Sequence, residues 1–139
     1  ELEQEIGAYG GSSFGVQADV SKLDELQRLI EAAVSRYGRL DVMVNNAGVE
    51  TRTSILDTTP DAFDKTMAVL ARGVFCTFKH AARVMVAAGN GGCLIGTASV
   101  AAVKGGMGPH AYAMAKAGVV GLCRNMASRP SGVTQRPRR

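Results

Sequence analysis

Histidine is scarce in this chain, cysteine is odd in number, and no apolar run is long. His80 and His110 have no partner at ligand spacing, which argues against a zinc site. Cys76, Cys93 and Cys123 lie far apart in apolar surroundings and read as reduced core thiols of a cytoplasmic protein. No apolar stretch approaches the roughly 18 residues that would span a bilayer, so no membrane partner is expected. The opening "ELEQEIGAYGG" is acidic and lacks the apolar core of a secretory signal. A basic body is missing as well. The net charge of +4 comes from 16 basic against 12 acidic side chains. Arg129, Arg136, Arg138 and Arg139 account for that whole excess, so residues 1–128 are formally neutral. Residues 129–139 form a basic irregular tail, and the neutral body offers no footprint for nucleic acid.

What is present is a run of alternating elements. Residues 1–8 read as the end of a helix, broken by "GGSS". "FGVQADV" (14–20) reads as a short buried strand. Ser21 then caps a helix, with Asp24 at the capping-box position. Leu23, Leu26, Ile30, Ala33, Val34 and Tyr37 fall on one face at the helical period, and Gly38 closes the helix. "LDVMVNNAG" (40–48) reads as a strand buried on both faces. Thr59 caps a long helix with Pro60 in its first turn, and the helix ends at Gly89. "GCLIGTAS" (92–99) is a third strand, and Pro109 opens a last helix to about Ala127. Strands that alternate with crossover helices indicate an α/β fold with a parallel sheet.

Parallel sheets of this kind often hold a nucleotide at the carboxyl ends of their strands. "GMGPHA" (106–111) fits the glycine-rich phosphate-binding pattern only formally. No strand runs directly into it, Pro109 has no amide to offer, and no acid follows about 20 residues on. The phosphate-binding turn is therefore absent from this sequence, and the chain reads as an interior slice of a larger α/β unit.

Four features share one edge of such a sheet. "ADV" (18–20) and "NNAG" (45–48) end two strands, Ser99 ends the third, and Tyr112 and Lys116 open the helix after it. Together with "KAGVVGL" (116–122), these stretches resemble the short-chain dehydrogenase/reductase family up to about Ala127. The resemblance implies a Rossmann-like, doubly wound parallel sheet with helices on both faces, here incomplete. Residues 1–128 would then be a partial NAD(P)-binding domain. It also implies hydride transfer between NAD or NADP and a small-molecule alcohol or carbonyl substrate.

The resemblance assigns roles to individual residues. Tyr112 would be the acid/base, Ser99 would hold the substrate oxygen, and Lys116 would bond the nicotinamide ribose. A free tyrosine has a pKa of about 10, and a lysine one turn away favours the phenolate. Asp19 and Val20 would meet the adenine. Asn45, Asn46, Ala47 and Gly48 would pass the cofactor ribose. The two long helices would join copies into a dimer or tetramer. One position departs from the family's "V-N-x-x-G-V-F" pattern: in "VLARGVF" (69–75) Leu70 stands in the Asn place. That departure leaves a second hypothesis, a relative that binds or assembles without turnover. After Ala127 the sequence falls out of step with the family, as a truncated or frameshifted end would.

Overall fold

The structure is a computed structural model that describes residues 2–50 and 53–128. The tail expected at 129–139 lies outside the described residues. Helix α1 spans Leu2–Ala8, and Gly10 ends the turn after it at φ 77°. Residues 14–20 do not form the expected buried strand. They pair with neither sheet strand, and Val16 is exposed. A strand needs a ladder partner, and the described residues give this one none. The segment is held by side chains instead. The Phe14 and Tyr37 rings lie 5.7 Å apart, and the Gly15 N–H donates to Glu3 Oε1 at 2.8 Å.

Helix α2 spans Leu23–Tyr37 and buries Leu26 and Ile30. Its last turn closes as expected, with Gly38 at φ 79° donating its N–H to the Val34 carbonyl at 2.7 Å. The expected capping box does not form. Lys22 occupies the cap position and its side chain makes no cap bond, while both Ser21 donors turn back to Asp19. Asp19 captures Ser21 because an aspartate closes a turn on the residue two ahead more readily than a serine reaches forward.

Strands β1 (Val42–Asn45) and β2 (Cys93–Gly96) form a parallel pair, with Val42 opposite Cys93 and Asn45 opposite Gly96. The expected two-sided burial is not observed. Met43 and Leu94 pack against Ile30, Ala81 and Met85, whereas Val42, Val44, Cys93 and Ile95 are exposed. Strand residues alternate between faces, and among the described residues the helices cover one face. Cys93 is thus a surface thiol rather than a core one, while Cys76 and Cys123 are half-buried.

The long helix after β1 has three parts. Helix α3 (Pro60–Met67) opens with Thr59 accepting the Ala62 N–H at 3.2 Å. A π-helical segment follows at Ala68–Gly73, and helix α4 continues through Val74–Ala87. Phe78 of α4 is fully buried with Val74 and Val119 beneath the sheet, each such side chain contributing about 1.5–3 kcal/mol. After β2 a short 3-10 turn covers Val100–Ala102, and helix α5 runs His110–Ser128. Gly96 lets α4 and α5 approach the strand: a Cβ there would stand 2.9 Å from Val119 and 3.3 Å from both Phe78 and Cys123.

Candidate active site

The carboxyl ends of β1 and β2 and the start of α5 enclose a cleft of about 410 Å³. Asn46, Gly48, Ser99, Tyr112 and Lys116 all line it, with Thr97 and Glu50 among their neighbours. A parallel sheet brings successive strand ends to one edge, which is how residues up to 70 positions apart converge. Ala47 stands in the same loop but does not line the cleft. A larger groove of about 580 Å³ runs along the outside of the long helix, and it gathers none of the candidate residues.

Lys116 is the buried member of the set, 5% exposed. Its Nζ donates to the Thr97 carbonyl at 2.7 Å and lies 5.7 Å from the centroid of the Tyr112 ring. The four-residue spacing on α5 produces that proximity. Tyr112 is half-buried, close to Gly108, where an added Cβ would stand 3.4 Å from the ring. Ser99 Oγ accepts the Ala101 N–H at 3.2 Å, so it caps the 3-10 turn as well as lining the cleft.

Asn45 and Asn46 divide their work. Asn45 is buried at the end of β1, and its carbonyl accepts the Thr97 N–H at 3.0 Å. Asn46 is exposed to the cleft, and its Oδ1 accepts the Thr97 hydroxyl at 2.9 Å. Thr97 is a site residue that the sequence pattern does not reveal. It matches no motif, and its only mark is its place two residues before Ser99.

Asp19 and Val20 do not line this cleft. They sit across the π-helical segment from it. Val20 lines a small hollow of about 110 Å³ with Arg72 and Gly73. Arg72 donates to the Ser21 carbonyl at 3.1 Å. A Cβ on Gly73 would lie 2.8 Å from the Val20 carbonyl oxygen, so only glycine permits this approach. The other end of the same segment faces Gly48, where Leu70 Cδ2 would meet an added Cβ at 3.4 Å. Leu70 itself is fully buried. One helical segment therefore supports both the Asp19–Val20 turn and the Asn46–Gly48 loop. The Asp19 carboxyl is held below its ordinary range, first by the Ser21 N–H and then by the Ser21 hydroxyl. Asp19 is thus an anion one residue before Val20, which lines that hollow.

The donor set of the cleft suits the nicotinamide and ribose end of NAD(P). An ammonium, an amide and three hydroxyls converge where Gly48 adds no side chain. Among the described residues no strand runs into a glycine-rich turn, so the fit concerns that end of the molecule. No group of three or more potential metal ligands occurs among the described residues, nor any helix long and apolar enough to cross a membrane.

The chain is similar to known proteins over most of its length. The family model described as enoyl-(acyl carrier protein) reductase matches residues 1–133. The chain is 41% identical over 132 residues to short-chain dehydrogenase reductase 5 of Arabidopsis thaliana, covering 90% of this chain and 51% of that protein. It is 48% identical over 118 residues to sex determination protein tasselseed-2 of Zea mays, covering 81% and 35%. Among solved structures, a short-chain type dehydrogenase/reductase from Mycobacterium marinum superposes with a TM-score of 0.86 at 30% identity, covering 95% of this chain and 54% of that one. The chain spans about half the length of the curated relatives it matches.

Proposed function

Because the chain belongs to the short-chain dehydrogenase/reductase family, we propose that it forms the nicotinamide and substrate end of an NAD(P)-dependent oxidoreductase. The substrate is a small-molecule alcohol or carbonyl compound. The observation that carries this reading is the meeting of Ser99, Tyr112, Lys116 and Asn46 in one cleft.

NAD or NADP, when bound, supplies or accepts the hydride. The chain's own residues handle the proton and the oxygen. The Tyr112 hydroxyl gives its proton to the carbonyl oxygen in reduction, leaving the phenolate, and in oxidation the phenolate takes the alcohol proton and becomes the hydroxyl again. The Ser99 hydroxyl holds the same oxygen. Lys116 has three donors, and the Thr97 carbonyl takes one. The other two serve the ribose hydroxyls, and its charge stands beside the phenol where negative charge develops. Asp19 and Val20 receive the adenine on the far side of the π-helical segment. The complete protein acts in the cytoplasm as a homodimer or tetramer, a reading supported by exposed Phe75 on α4 and Met114 on α5. Light scattering checks the assembly, and a strictly monomeric mass counts against it.

The test of the chemistry is Tyr112→Phe. With NAD(P) and a panel of alcohols and carbonyls, turnover should fall by about 10²–10⁴ while nucleotide binding is kept. Equal rates for both proteins would remove Tyr112 from the reaction.

A further inference from the structure

We propose that Thr97 is a positioning residue for the nicotinamide end of the cleft, fixing Lys116 through its carbonyl and the Asn46 amide through its hydroxyl. This rests on the NAD(P) reading above.

Thr97 is the first residue beyond β2, and each of its polar groups is used in a different direction. The N–H donates to the Asn45 carbonyl at 3.0 Å, extending the β1–β2 ladder by one step. The carbonyl accepts Lys116 Nζ from α5 at 2.7 Å. The hydroxyl donates to Asn46 Oδ1 in the loop after β1 at 2.9 Å. Thr97, Asn46 and Lys116 all line the same cleft.

The hydroxyl bond has a chemical consequence. A side-chain amide has an accepting end and a donating end, and it can turn over. Thr97 occupies the accepting end of Asn46. That leaves Nδ2, with its two donors, as the end that a ligand oxygen meets. Lys116 is restrained in the same way, with one N–H committed to a fixed carbonyl. Both bonds prearrange donors for the hydroxyl and carbonyl oxygens of a nicotinamide riboside. The neighbouring helix supplies no such help from Leu70, which is apolar and fully buried against the loop at Gly48. The polar positioning at this end therefore comes from the strand.

Thr97→Val tests this because it keeps the carbonyl and the branched shape and removes only the hydroxyl. Thr97→Ser restores the hydroxyl. The measurements, on the full-length protein that contains these residues, are the NADH and NADPH dissociation constants by fluorescence titration, the nucleotide KM, kcat and Tm. For Thr97→Val, Kd and KM should rise about tenfold, kcat should fall by less than KM rises, and Tm should stay put. Thr97→Ser should bring Kd back. Three outcomes overturn the proposal: Thr97→Val binds as the parent does, Thr97→Ser is as weak as Thr97→Val, or the loss of affinity tracks a loss of Tm. A full-length parent protein that binds neither nucleotide overturns the NAD(P) reading itself, and the proposal with it. A parent that binds while Thr97→Val matches it sinks only the role of Thr97.

Discussion

Lys116 Nζ lies 5.7 Å from the centroid of the Tyr112 ring, one turn along the same helix. The relationship is fixed from outside that helix, because the lysine is nearly buried and its ammonium is bound to the Thr97 carbonyl. Lys116→Met keeps the length and apolar stem but removes the donor and the charge. Nucleotide affinity should fall at least about tenfold and turnover about a hundredfold, both read in one set of titrations and rate assays. The abandoned Thr97 carbonyl should cost a further ~1–3 kcal/mol of stability, seen in denaturant unfolding. Lys116→Arg should not rescue, since a planar guanidinium is wider than the ammonium site. A fully active Lys116→Met protein would argue that the pair only shares a helix face.

Gly73 ties the π-helical segment to the Asp19–Val20 turn. In Gly73→Ala the new methyl meets two backbone oxygens, Val20 at 2.8 Å and Ala68 at 3.2 Å, and neither is a flexible side-chain end. The expected cost is about 1–3 kcal/mol, with the Val20 side of the contact giving way. Arg72 holds Ser21 from the same segment, so the shift is passed to the Asp19–Val20 turn proposed to receive the adenine, and nucleotide binding should weaken too. Gly118→Ala is the contrast. It lies exposed on α5 with nothing within 4 Å of an added Cβ, and should gain about 0.5–1 kcal/mol by helix propensity. Thermal melts of the two variants should move in opposite directions. Movement of both downward would mean that the close approach at Gly73 is not what sets its cost.

The local devices of this fold are written plainly in the sequence. The apolar stripe of α2, Gly38 after it, and Thr59 with Pro60 each act within one turn, and each appears where its chemistry places it. The Tyr112–Lys116 spacing is legible for the same reason. What depends on a distant partner is not legible. Residues 14–20 have strand composition, but a ladder needs a neighbour. The outward faces of Val42, Val44 and Ile95 look like core until the helices are seen to pack on one side.

The candidate site divides in the same way. Motif order marks Ser99, Tyr112, Lys116 and Asn46 in the sequence, and the structure brings them to one cleft. Thr97 is not legible in the sequence because its bonds use a carbonyl, which every residue has, and a hydroxyl at no marked spacing. The π-helical segment at Ala68–Gly73 also has no marker, since one extra residue in a helical turn leaves the apolar pattern almost unchanged. Leu70 illustrates the limit. Its departure from the family pattern is visible in the sequence, but its full burial against the loop at Gly48 is a fact of packing.

His80 provides a pH-dependent test of the α2–α4 interface. It borders a cavity of about 190 Å³ with Gln27, Ile30, Glu31, Arg83 and Val84, and its Nε2 is buried without a hydrogen-bond partner among the described residues. Burial lowers its pKa from the ordinary 6.5, Lys79 and Arg83 lower it further, and Glu31 opposes them. The folded state then binds fewer protons than the unfolded one, so stability increases with pH across this window. The contribution is complete above about pH 6.5 and is lost as pH falls through the lower folded value. Asp19, Glu25 and Asp41 are also lowered, by bonds from Ser21, the Asp19 N–H and Arg39 respectively. Their contributions hold above ordinary values of 3.8 and 4.5 and are lost only below them, so they stay constant in the histidine window. Urea midpoints at pH 7.5 and 5.5 should therefore fall for the parent chain and change little for His80→Gln. Equal falls in both would assign the pH dependence to another group and leave His80 a passive filler of the interface.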